Sequence, residues 1–279
     1  MGYKIIVDSC GELTTDMKNS TKFENIPLTL MVDGMEIIDD ETFNQAEFLK
    51  AVAASPNCPK SACPSPEKYQ KACDTEEEHV YIVTLSANLS GSYNSAVLGK
   101  DLYLEEQGGK NIYVFNSRSA SVGQTLIAMK IREFEEKGMS FREVVEATEE
   151  FIRGMRTYFV LENLETLRKN GRLSRVKALV AGALKIKPVM GEDGEGNILQ
   201  LDQARGINKA LMKMLDYVEK NLKNPEDKII AIANCNCRER AEMVKEELQR
   251  RLNVKDIIIV DAAGVSSMYA NDGGIIIAV

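Results

Sequence analysis

The chain has 279 residues, 44% of them hydrophobic, and carries a net charge of −7 from 35 basic and 42 acidic residues. That length suits one large α/β domain or two of ordinary size with room for a ligand cavity, and charges spread along the whole chain leave no basic stripe for a nucleic-acid backbone. No apolar run approaches the roughly 20 residues that span a bilayer, and a strand pattern begins at Tyr3, so the expectation is a cytoplasmic protein with no nucleic-acid partner and no stable membrane insertion.

Taken in chain order, short β-rich runs at 5–7, 80–84, 111–115 and 158–161 alternate with amphipathic helical patterns at 93–106, 119–137 and 140–153, the βαβα grammar of a parallel sheet. An interruption at 26–39 places two apolar runs around Asp33-Gly34, a strong hairpin signal. After about residue 154 the grammar changes. A helix is expected over 174–184 and a strand over 185–190, followed by Gly-Glu-Asp-Gly-Glu-Gly as a tight turn between antiparallel strands. Then come a helix over 208–221, a strand over 228–232, a helix over 238–252, a strand over 256–260 and a last strand within 273–279. The reading is an α/β protein with a parallel-sheet α/β/α domain at 1–154, bearing the hairpin insertion, and a second α/β domain with a mixed or antiparallel sheet at 155–279.

Several chemistries find no support. Six cysteines in a long chain without a secretory signal imply reduced thiols, and no C-x-x-C spacing accompanies them, so no metal site is expected. The one histidine, His79, follows three glutamates and reads as a solvated surface residue, not a catalytic base. Neither a G-x-S-x-G elbow, nor a P-loop, nor a G-x-G-x-x-G fingerprint is present.

What the chain does have is hydroxyls in turns at strand ends: Ser9, Ser61, Ser65, Ser86, Ser90, Ser92, Ser117, Ser119 and Ser121. In an open parallel sheet these turns share one edge, where ligands bind. The run Ser86-Ala-Asn-Leu-Ser-Gly-Ser-Tyr-Asn-Ser95 joins a strand to a helix, where free N–H groups and the helix dipole suit an anion and Gly91 allows close approach. The plain alternative is that Ser90 or Ser92 caps the helix, as Ser65 before Pro66 does. Arg168-Lys-Asn-Gly-Arg-Leu-Ser-Arg175 offers a clamp for a carboxylate or phosphate, or else a solvated basic loop. Alternation places Lys185 and Lys187 on one face of their strand, facing the anion.

Six segments in order, Asp8-Ser9, Ser61-Ala-Cys-Pro-Ser-Pro66, Ser86-x-x-Leu-Ser-Gly-Ser-Tyr93, Ser119-Ala-Ser-Val-Gly123, Leu167-x-x-x-Gly-Arg-Leu-Ser174 and Lys185-Ile-Lys-Pro188, resemble the bacterial DegV family over nearly the whole chain. The resemblance implies a two-domain protein that binds one long-chain fatty acid between its domains and carries it for a separate ATP-dependent fatty acid kinase. Such a carrier has no turnover of its own and no cofactor beyond the bound lipid. By motif position Ser61, Ser90 and Gly91 would hold the carboxylate, with Ser92, Ser121, Arg172, Lys187 and Asp272 at the head-group periphery.

Two departures stand out. Where the family has His-x-Gly-Pro-Gly, this chain reads Ala270-Asn-Asp-Gly-Gly274, losing the histidine and gaining Asp272. Ala62 and Cys63 replace the usual residues after Ser61, with Cys63 read as a buried structural thiol. The alternatives kept open are therefore a lipid-binding or sensing protein without the kinase hand-off, and a small-molecule enzyme using Ser90 or Cys63 as nucleophile.

Overall fold

In the computed structural model, which describes residues 2–174, 176 and 185–279, the first apolar run forms β1 (Tyr3–Asp8), whose last four residues are buried. A strand covered on both faces shows no polar alternation, and β1 accordingly lies inside a parallel sheet. The one-turn α1 (Thr15–Lys18) leads to β2 (Phe23–Ile26), paired parallel with β1. β3 (Thr29–Val32) and β4 (Met35–Ile38) then fold back antiparallel. Asp33 and Gly34 between them have φ of 49° and 82°, the two positive values that a type I′ hairpin turn requires. After α2 (Gln45–Ala54), capped by the Asn44 side chain on Glu47 N–H, β5 (Lys60–Ala62) pairs antiparallel with β3. The expected hairpin is thus two strands of a three-stranded sheet, β4-β3-β5.

α3 (Pro66–Cys73), with Pro66 at its first turn, precedes β6 (His79–Thr84), α4 (Ser92–Gln107), β7 (Asn111–Asn116), α5 (Val122–Glu136) and α6 (Phe141–Gly154). The four-stranded parallel sheet has the order β2-β1-β6-β7. The remainder runs β8 (Thr157–Val160), α7 (Glu165–Lys169), β9 (Ile186–Glu192), β10 (Ile198–Arg205), α8 (Ile207–Asn221), β11 (Ile229–Asn234), α9 (Arg238–Arg251), β12 (Asp256–Asp261), α10 (Gly264–Ala270) and β13 (Ile275–Ala278). Its six strands form a mixed sheet of order β10-β9-β8-β13-β11-β12, in which β11 and β12 pair parallel. The helix expected over 174–184 lies outside the described residues except for residues 174 and 176. Among the described residues no helix is long and apolar enough to cross a membrane.

One helix joins the two sheets. Leu126, Ile127 and Ile131 of α5 pack in a single core with Ile5 and Val7 of β1 on one side and Ala231, Ala233 and Ala278 of β11 and β13 on the other. The small alanines let α5 sit close on the mixed sheet, as close-packed interiors require. Outside this layer, α3 and α4 cover the parallel sheet through Tyr69, Ala96 and Tyr103, and α8 and α9 cover the mixed sheet through Leu211, Met214, Val218, Val244 and Leu248.

His79 corrects its sequence reading. It is 5% exposed, with Nδ1 2.7 Å from Glu135 Oε1 and its ring against Phe141. Glutamates before it are solvated, but His79 itself starts β6, and α5 and α6 cover that end of the strand.

Candidate binding cavity

The carboxyl ends of the parallel strands open toward one face of the mixed sheet, and between them lies a cavity of about 340 Å³, in the range of small-molecule sites. Strand periodicity explains its floor. In β8 and the residue after it, Tyr158 and Val160 turn into the α8 core, while Thr157, Phe159 and Leu161 line the cavity. Leu28, Leu85, Leu89, Ala120, Val265 and Ile276 complete an apolar wall.

One end of the cavity is polar. Ser61, Cys63, Ser90, Gly91, Arg172 and Tyr269 all line it, brought together from β5, the turn before α4, the turn after α7, and α10. The N-cap of α4 is Gly91, with no side-chain cap; Ser90, one residue before it, accepts from Ser92 N–H at 3.2 Å and keeps its hydroxyl proton available to an anion. Gly91 has φ −74° and needs no glycine for its backbone. A Cβ there would stand 3.3 Å from Cys63 Sγ, so what Gly91 supplies is room. Arg172 donates from Nε to Leu89 O at 3.1 Å and from Nη1 to Asn170 O, tying the serine-bearing turn to the mixed-sheet side.

Tyr269 was missed by sequence reasoning. Its OH lies 3.4 Å from Ser61 Oγ, and the only hint in the sequence is that it adjoins Ala270, where the family motif has histidine. α10 is held in place from the other side: Asp39 accepts from Gly264 N–H at 2.6 Å, Val265 N–H at 2.9 Å and Ser9 Oγ at 2.9 Å. Glu12 accepts from Ser121 Oγ at 2.8 Å and Ala263 N–H at 3.3 Å. Burial, only partly opposed by these donors, pushes the Glu12 carboxyl up to about 7. Asp8, buried at the end of β1, is likewise pushed up to about 6 against the N–H groups of Gln124 and Leu85.

The remaining expected residues do not join the Ser61 and Ser90 end. Ser121 lines the cavity, but its hydroxyl is given to Glu12. Ser92 is buried outside the lining, its hydroxyl set beside the Asp8 carboxyl and the Tyr69 hydroxyl. Lys187 does not face an anion, because Glu162 intercepts it: Nζ sits 2.7 Å from Glu162 Oε2, while Arg240 holds Oε1 at 3.0 Å. Burial would raise the Glu162 carboxyl, and these two cations hold it below its ordinary value. Asp272 also lies outside the cavity, bonded to Asn236 Nδ2 at 3.0 Å beside a separate groove against α2. Cys63 is exposed, not buried. Among the described residues no three His, Cys, Asp or Glu side chains form a metal-binding group.

The DegV family, described as "Uncharacterised protein, DegV family", matches residues 3–279. The chain belongs to the DegV family. A DegV domain-containing protein of Streptococcus pneumoniae is 33% identical over 99% of this chain and 98% of its own. A DegV family crystal structure from Ruminococcus gnavus, described with vaccenic acid, superposes with a TM-score of 0.97 at 55% identity, covering 99% of each chain. The Streptococcus pneumoniae Fatty Acid Kinase (Fak) B3 protein loaded with linoleic acid matches with a TM-score of 0.90 at 32% identity, over 100% of this chain and 99% of that one. The mixed α/β architecture is therefore that of solved DegV structures.

Proposed function

We propose that this DegV protein binds one long-chain fatty acid, with its acyl chain in the cavity and its carboxylate at the Ser61, Ser90 and Gly91 end, and carries it for an ATP-dependent fatty acid kinase. The observation that carries the reading is the gathering of Ser61, Ser90, Arg172 and Tyr269 at one end of a cavity whose walls are otherwise largely apolar. The lipids named for the Ruminococcus gnavus and Streptococcus pneumoniae structures support it.

The division of labour follows from the chemistry. Burying about 14 methylenes at about 0.8 kcal/mol each contributes on the order of 10 kcal/mol before ordering costs, so the tail supplies affinity. Ser61 and Ser90 are uncharged donors, whose hydrogen bonds orient the carboxylate without neutralising it. Its outward oxygen then keeps a lone pair to attack the γ-phosphorus of ATP on the kinase, the bond to the β-phosphate breaking as ADP leaves.

A second reading, lipid binding or sensing without the hand-off, draws on the Ala270-Asn-Asp-Gly-Gly274 segment. One experiment separates them. Mass spectrometry of the purified protein and its organic extract should find a stoichiometric fatty acid, and the loaded protein given a fatty acid kinase and ATP should yield acyl phosphate. A bound fatty acid with no acyl phosphate would leave the sensor, and a protein that refuses added fatty acids would overturn both.

A further inference from the structure

The end of the cavity remote from Ser61 and Ser90 has its own construction. β8 runs from Thr157 to Val160, and Leu161, just beyond it, lies near the Leu167 and Arg172 end, so Thr157 is about 13 Å away along the strand. Phe159 pairs with Met190 in the antiparallel β8 and β9 ladder, which sets Glu192 opposite Thr157. Both line the cavity. Thr157 Oγ1 is satisfied by Ser119 Oγ at 2.6 Å, and Arg118, which also lines the cavity, is engaged by Gly194 O and Glu195 in the turn after β9, so this end presents a closed hydroxyl pair, a paired guanidinium and the Glu192 carboxyl.

Glu192 is an expensive residue for such a wall. Its side chain is 10% exposed, Oε2 accepts from Gly194 N–H, and Oε1 makes no hydrogen bond, lying 3.7 Å from Arg156 Nε. Arg156, whose guanidinium also donates to Arg153 O and Met155 O, lines a second groove on the far side, with Leu126, Met129, Phe134, Phe151 and Ile229. Glu192 and Arg156 therefore stand between the acyl cavity and a neighbouring groove lined by apolar and charged side chains alike, among them Lys130, Glu133 and Lys228. We propose that Glu192, backed by Arg156, is the tail stop of the cavity and sets the longest acyl chain that the protein accepts. A methyl terminus gains no burial against a carboxyl that itself loses hydration when covered, so affinity should rise with each methylene until the tail meets Glu192 and then fall. Truncating Glu192 at Cβ, which removes its carboxymethyl group, would let longer tails run on toward the groove.

This inference rests on the fatty-acid reading, and the test separates the two. Delipidated wild type, Glu192→Ala, Glu192→Gln and Thr157→Leu are titrated with a homologous series of saturated fatty acids. Glu192→Ala should move the chain-length cut-off upward by about two carbons, in proportion to the volume vacated. Glu192→Gln, which keeps the volume, should retain the wild-type cut-off, and Thr157→Leu, which adds volume at the same end, should shorten it. Normal binding with the same cut-off in Glu192→Ala and Thr157→Leu would overturn the tail stop alone. Failure of wild type to bind any chain would overturn the fatty-acid reading and the tail stop together.

Discussion

Ser61 Oγ and Tyr269 OH face each other at 3.4 Å where β5 and α10 meet at the polar end of the cavity. One hydroxyl comes from residue 61 and the other from residue 269, so the pair bridges the three-stranded sheet and the helix packed on it. A carboxylate seated there can accept from both groups. Tyr269→Phe removes one uncharged donor while keeping the ring, and fatty-acid affinity should fall by about 0.5–1.5 kcal/mol, roughly twofold to twelvefold. Titration of delipidated protein reads this directly, and an unchanged dissociation constant would take Tyr269 out of the site.

Ser90 should matter more. Its hydroxyl accepts from Ser92 N–H and has its own proton left for the ligand, so Ser90→Ala loses a charge-assisted bond of about 1.5–3 kcal/mol and also the local bond to Ser92 N–H. Binding titration and urea denaturation of the same variant divide the two effects: loss of affinity with little change in stability is the expected pattern.

Two buried carboxyls make the fold pH-dependent. Asp8 rises from an ordinary 3.8 to about 6 and Glu12 from 4.5 to about 7. A carboxyl with a raised pKa in the folded state keeps its proton when the unfolded chain has lost it. Their contribution is therefore fully present below about pH 4 and is lost as pH rises toward 7, at up to about 1.4 kcal/mol per pH unit for each group within its window. Glu12→Gln, which cannot ionise, should flatten this slope and exceed wild type in stability at about pH 8. Urea melts across that range check it, and parallel slopes for the two proteins would assign the dependence elsewhere.

His79 tests the exclusion of hydrolytic chemistry. It shares Glu135 Oε1 with Tyr81 OH, which donates at 2.5 Å, and it does not line the cavity. His79→Ala leaves that buried carboxylate short of a partner, at a cost of about 1–3 kcal/mol in stability. Fatty-acid binding should stay as in wild type, and a drop in affinity larger than the stability change explains would bring His79 back into the function.

The strands that were legible in the sequence are those whose burial is written into consecutive residues. β1 and β6 read as unbroken apolar runs, and β3 and β4 were marked by Asp33-Gly34. β5 carried no such mark, since Lys-Ser-Ala has little strand preference, and it exists because β3 offers an edge to pair with. Motif order named Ser61, Ser90, Gly91 and Arg172, and the structure gathers these four in one cavity lining. The reading failed for Lys187 and Asp272 because strand alternation says which side a charge leaves from, not which partner reaches it first. Glu162 and Asn236 do so from segments 25 and 36 residues away. Tyr269 was hidden for the same reason, since only packing brings α10 to β5.

Cys63 provides the last test, because it stands at the cavity end where a head group would pass. It is exposed, 3.8 Å from Ser95 Oγ, and faces the open space that Gly91 leaves. Cys10 also lines the cavity but is buried, and burial beside Asp8 and Glu12 pushes its thiol up, so it should resist alkylation. Iodoacetamide labelling of delipidated protein followed by peptide mass spectrometry should modify Cys63 and spare Cys10. Loading with fatty acid should then slow the reaction at Cys63 while leaving Cys58, outside the lining, unchanged. Equal rates with and without fatty acid would place the carboxylate away from the Ser61 and Ser90 end. Rapid stoichiometric labelling that abolishes turnover of some small substrate would instead favour a thiol enzyme over a carrier.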